Sequence, residues 1–170
     1  MASARQGQVE IHTDASPQDV WSLVANLDRM GEWSPECYRV IWLDGAKAPA
    51  QVGARFKGKN RWGPVRWSMT CEVKTADPGR EISWSTVKGG RDVVSWRYRF
   101  EAEGTGTRIV ESFEVHSLPL SARLFEDVLM VNRDVRREAA MRATLERIKA
   151  ATEGQGDVVS ATRRASRLAG

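Results

Sequence analysis

The sequence predicts an α+β fold in which a seven-stranded antiparallel sheet curves around one long C-terminal helix, with two short helices between the first and second strands. Three observations carry that prediction. Three consecutive stretches alternate apolar with polar residues, and each sets a tryptophan in its apolar file: Val65, Trp67, Met69, Cys71, Val73; then Ile82, Trp84, Thr86; then Val94, Trp96, Tyr98, Phe100. Turn signals recur at hairpin spacing, and from Ser121 the apolar period changes from two to that of a helix. Strand side chains alternate faces, so each file lines one side of a sheet while Arg66, Ser68, Glu72, Ser83, Arg97 and Arg99 face water. The result is a broad aromatic wall. One helix seldom fills so wide a trough, so a cavity is expected between the two.

Residues 1–7 are small and polar and are read as a flexible N-terminus; Val9, Ile11 and Thr13 then alternate with Glu10 and His12 as a first strand. A helix follows at once. Ser16 is placed to accept from the backbone N–H of Asp19, Pro17 fits the first helical position, and Asp19 puts negative charge in the first turn. Its buried side is Val20, Trp21, Val24 and Leu27. A second helical piece over 28–33 is stopped by Gly31 and by Ser34-Pro35, because the residue before proline avoids helical dihedrals.

Beyond Cys37, which falls in a loop on this reading, the turns are Asp44-Gly45, Gly63-Pro64, Asp77-Pro78-Gly79, Gly89-Gly90 and Gly104-Thr105-Gly106. They separate strands over 38–43, 54–61, 65–74, 81–86, 93–103 and 107–116. Short links of this kind make neighbours antiparallel, since parallel strands need crossovers of a dozen residues or more. The terminal helix is read over 121–151. Leu124, Val128, Val131, Val135 and Ala139 form one stripe, with Met141, Leu145 and Ile148 rotated from it; Arg133, Arg136, Arg137, Glu138, Glu146, Arg147 and Lys149 form the polar side. Residues 154–170, rich in Gly, Ser, Ala and Arg without periodicity, are read as a disordered tail.

This order resembles the START-like superfamily, also called SRPBCC, whose architecture is the helix-grip fold. The stretch VEIHTDASPQDVWSLVANLDRMGEWSP is similar to the opening of its polyketide cyclase/dehydrase and lipid-transport branch, where a strand leads to a Pro-started helix with Val-Trp and on to a Glu-Trp-Ser-Pro-like segment. PGREISWST, VVSWRYRFEAEGTGTRIVESFEV and ATLERIKAA extend the match over residues 9–151. The resemblance implies one domain, over 8–153, with an internal apolar cavity that holds a hydrophobic or amphipathic small molecule.

Within that frame the informative polar residue is Glu111. The file Thr107, Ile109, Glu111, Phe113, Val115 is apolar except for this carboxyl, which therefore points inward, where burial raises its pKa towards values useful for acid/base work. Asn60 interrupts the inward file Phe56, Gly58, Asn60, Trp62, and Asn132 lies at the edge of the helix stripe beside Val128. Two amides and an acid facing an aromatic cup suit the orientation of a polar group on an apolar ligand. Trp67, Trp84 and Trp96 are assigned to the ligand-contacting wall with Phe56, Met69, Tyr98, Phe113 and Val128, and Trp33 to the entrance.

Other chemistry finds little support. Two cysteines are too few for a disulfide framework, and both are read as reduced thiols. His12 and His116 lack metal-site spacing, no G-x-S-x-G elbow is present, and Gly104-Thr105-Gly106 precedes a strand rather than the helix a phosphate loop requires. No metal or cofactor is expected. Of the formal net charge of +4, half lies in 154–170, where Arg163, Arg164 and Arg167 lack aromatic partners; nucleic acid is not an expected partner. No stretch approaches the ~18 apolar residues of a membrane span. A cytoplasmic monomer or homodimer without integral membrane association is expected, acting as carrier, sensor or scavenger. The enzyme alternative is a cyclase or dehydratase using Glu111, and a third is a protein-interaction module.

Overall fold

The computed structural model describes residues 6–117 and 133–168, with side chains of the last helix described over 136–154. The chain opens with strand β1 (Gln6–Thr13), helix α1 (Pro17–Ala25), a 3-10 turn (Leu27–Arg29) and the short helix α2 (Met30–Trp33). Six further strands follow: β2 (Cys37–Trp42), β3 (Arg55–Trp62), β4 (Val65–Asp77), β5 (Glu81–Lys88), β6 (Arg91–Glu103) and β7 (Gly106–Val115). Helix α3 (Arg133–Leu168) closes the described chain.

All seven strands form one antiparallel sheet in the order β1-β7-β6-β5-β4-β3-β2, so β1 pairs with the last strand and β2 lies at the far edge. The hairpin meander read from the turns is therefore present, with the first strand added at its end. Bulges between Cys37 and Arg39, between Val73 and Thr75 and between Thr86 and Val87 interrupt the ladders. Such interruptions bend strands and increase twist, which suits a sheet that must curve around a helix.

α1 starts as its sequence requires. The Ser16 hydroxyl accepts from the backbone N–H of Asp19 at 3.2 Å with Pro17 at the first helical position, and Val20, Trp21, Leu23 and Val24 are buried. Just before α1, Gly106 passes so close to the end of β1 that a Cβ there would lie 2.1 Å from the Thr13 carbonyl oxygen. Glycine is the residue that fits this approach.

Three features depart from the sequence reading. Cys37 begins β2 instead of lying in a loop. Ser83, expected to face water, is buried on the outer sheet face, where its hydroxyl meets Thr75 Oγ1 at 2.7 Å. Hydroxyls satisfied across strands need no solvent. The third is the terminal helix, which runs past 153 to Leu168, taking in residues expected to be disordered; Ala and Arg, frequent there, are good helix formers. Val128 and Asn132 lie outside the described residues.

α3 packs chiefly along β1, with further contacts to β7, α1 and α2. Met141, Leu145 and Ile148 are its buried apolar residues, with Arg137, Thr144 and Thr152 buried among them. The helix thus rests towards one edge of the sheet. The inward faces of the central strands are left to bound an internal space.

Candidate functional site

That space is a cavity of about 470 Å³. Its floor is the inward side of the central strands, where register places the expected residues on one face: Phe56 pairs with Cys71, Asn60 with Trp67, Trp84 with Trp96 and Tyr98 with Glu111. Met30, Trp33, Cys37 and the Ser34-Pro35 bend form one wall; Arg137, Ala140, Met141 and Thr144 of α3 form the cover. The aromatic rings touch one another. Phe56 meets Trp84 edge-on at 6.2 Å, and Trp84 stacks on Tyr98 at 5.6 Å between ring centroids.

Of the residues expected to contact a ligand, Trp33, Phe56, Asn60, Trp67, Met69, Trp84, Trp96 and Tyr98 line this cavity, as does Glu111. Phe113 is buried beside it, tilted against Trp96 at 5.7 Å, with the Arg137 guanidinium 4.6 Å above its ring. Asn60 donates from Nδ2 to the Gly58 carbonyl at 3.4 Å, a long local bond that leaves its amide on the cavity wall.

Glu111 and Tyr98 form the polar centre. Glu111 is 3% exposed, and its Oε1 accepts from the Tyr98 hydroxyl at 2.6 Å. Oε2 is buried with no hydrogen-bond partner among the described residues. Burial pushes the Glu111 carboxyl up to about 8, with the Tyr98 bond opposing the rise. Burial, then the charge of Glu111, raise the Tyr98 phenol well above its ordinary range. A carboxyl in such a place stays largely neutral near pH 7. It can hold a proton, donate a hydrogen bond, or deliver a proton to a bound molecule.

Two groups of cavity residues were not assigned from sequence. Arg137, read as part of the solvent side of the helix, is 5% exposed and covers the cavity. The signal was present: Arg137 stands four residues before Met141 and eight before Leu145, on the same helical stripe. Cys37 and Cys71 also line the wall as free thiols, and burial raises them to about 11 and about 12, so neither is poised as a nucleophile.

The structure does not bring the histidines together. His12 Nδ1 lies 2.9 Å from Glu103 Oε2, and His116 Nε2 lies 2.6 Å from Ser95 Oγ. Among the described residues no cluster of three or more His, Cys, Asp or Glu side chains could hold a metal ion, and no helix is long and apolar enough to cross a membrane.

Comparison with known proteins agrees with this architecture. The family described as polyketide cyclase / dehydrase and lipid transport matches residues 5–153. A polyketide cyclase-like protein from Corynebacterium glutamicum is 31% identical, over 90% of this chain and 88% of that one, with a TM-score of 0.50. The aromatase/cyclase Zhui from Streptomyces sp. R1128 is similar at 15% identity, covering 89% of this chain and 94% of its own, with a TM-score of 0.68. A major latex-like protein from Panax ginseng shares 10% identity over 88% of this chain and 97% of its own, with a TM-score of 0.65. These last two speak to the fold alone. No curated protein matches the chain.

Proposed function

Since the chain belongs to the polyketide cyclase / dehydrase and lipid transport family, we propose that its cavity binds an apolar, ring-containing small molecule, which the protein carries, senses or sequesters without covalent chemistry. The observation that carries this reading is the continuous aromatic wall of Phe56, Trp84 and Tyr98, with Trp33, Trp67 and Trp96 beside it, around about 470 Å³ of space. Pockets of about 300–1,000 Å³ suit small ligands. Burying ~250 Å² of apolar ligand surface at ~25 cal/mol per Å² gives ~6 kcal/mol, which corresponds to dissociation constants of tens of micromolar. Aromatic contacts add to that figure and ordering of the ligand subtracts from it.

Native mass spectrometry of the purified protein against a denatured control tests the reading. A co-purified mass of small-molecule size supports it. A bare chain that also takes up no apolar aromatic compound on incubation contradicts it.

One feature favours a second reading, in which the protein is a cyclase or dehydratase acting on a reactive, carbonyl-rich chain. Glu111, held largely neutral on the wall, has the protonation state of a general acid near pH 7. Under this reading Glu111→Gln abolishes turnover of such a substrate, whereas unchanged product formation excludes an acid/base role.

A further inference from the structure

The two oxygens of Glu111 are not equivalent. Oε1 is occupied by the Tyr98 hydroxyl at 2.6 Å, while Oε2 is buried without a partner among the described residues, on a side chain that lines the cavity. A protonated carboxyl has one O–H to donate, and its other oxygen is already accepting from tyrosine. The proton therefore belongs on Oε2. A buried donor without an acceptor is costly, and a ligand that supplies the acceptor removes that cost.

We propose that Glu111, oriented by Tyr98, acts as a hydrogen-bond donor that selects ligands bearing an uncharged carbonyl oxygen, such as an aryl ketone or lactone, over hydrocarbons of the same shape. The inference rests on the reading of the cavity as a small-molecule site and adds the chemical class of its ligand. It requires the acid to be neutral when the ligand binds. Among the described residues, the other charged and titratable groups on the cavity walls are Glu36 just before β2, Cys37 on β2, Cys71 on β4, Lys88 on β5, Tyr98 on β6 and Arg137 on α3. The two thiols and the phenol are raised by burial and remain neutral near pH 7. Arg137 is a fixed cation under all of these conditions, seated over Phe113. Glu111 is raised by burial to about 8, so its charge changes between neutral and alkaline pH.

Fluorene and fluorenone make a matched pair of probes, differing by one carbonyl. Binding of each is read by quenching of tryptophan fluorescence at about pH 6 and about pH 10, on either side of the titration. The preference for fluorenone over fluorene is expected to fall about five- to tenfold at the higher pH, the worth of one hydrogen bond. Glu111→Leu, with an apolar side chain of similar size, is expected to show the lowered preference at both pH values. Glu111→Gln replaces the titrating donor with an amide N–H, so the preference is expected to survive without its pH dependence. An unaltered fluorenone-to-fluorene ratio in Glu111→Leu, or a wild-type ratio independent of pH, overturns the inference while leaving hydrocarbon binding, and so the cavity reading, intact. Failure of both probes to bind overturns the two together.

Discussion

Glu111 was visible in the sequence because a strand file otherwise made of Thr, Ile, Phe and Val contains one carboxyl. Its partner was less visible. A two-residue loop at Gly104-Thr105 pairs Glu103 with Gly106, and counting back along both strands brings Tyr98 opposite Glu111; reading the turn as three residues hides that register. The raised carboxyl has a consequence for stability. Glu111 titrates at about 8 when folded and near the ordinary value of 4.5 when unfolded, so between these the folded state holds a proton that the unfolded state has released. Stability from this group is full below the lower value, declines as pH rises through the window, and levels off above about pH 8. Glu111→Gln is expected to flatten that decline, gaining on the order of a few kcal/mol relative to wild type by about pH 9. Urea unfolding of both proteins across the range checks the sign and the size. The thiols give a second residue-scale prediction: with Cys37 and Cys71 buried and raised to about 11 and about 12, both are expected to resist a thiol reagent in the native protein at neutral pH and to react at once in denaturant.

At the scale of elements, the strands were legible because alternation and glycine turns are local signals, and the cap of α1 because Ser16, Pro17 and Asp19 act within one turn. Helix α3 was legible as a helix, and its Met141, Leu145 and Ile148 stripe is buried as read, with one exception on its polar side. The solvent side was assigned from residue type, and Arg137 broke that assignment: its guanidinium finds an aromatic face in Phe113, so a charged residue occupies a buried position on the Met141 and Leu145 stripe. Replacing Leu145, which is 1% exposed, by Ala is expected to cost about 2–5 kcal/mol by opening a void under the helix. Gly106→Ala is expected to destabilise by a different route, since its Cβ would meet the Thr13 backbone and the β1 to β7 pairing must shift to make room. Denaturant unfolding measures both. The glycine variant is the one expected to raise hydrogen exchange specifically along β1.

Across the whole molecule, the sequence carried the topology and the sidedness of the aromatic files, because both follow from periods of two and from turn spacing. It did not carry the dimensions of the cavity. Those depend on how α3, packed along β1, sets residues 137–144 over the cavity, and on how much of the space Met30, Trp33 and Met141 fill. That the space over the tryptophan wall is a binding site for an apolar ring compound is the central proposal. Its most direct test is a fluorescence titration with fluorene of the wild type and of Ala140→Phe, which places a large side chain where α3 covers the cavity. Saturable one-to-one quenching in the wild type, weakened at least about tenfold in the filled variant, is the predicted result. No saturable binding, or equal binding by both proteins, would contradict it.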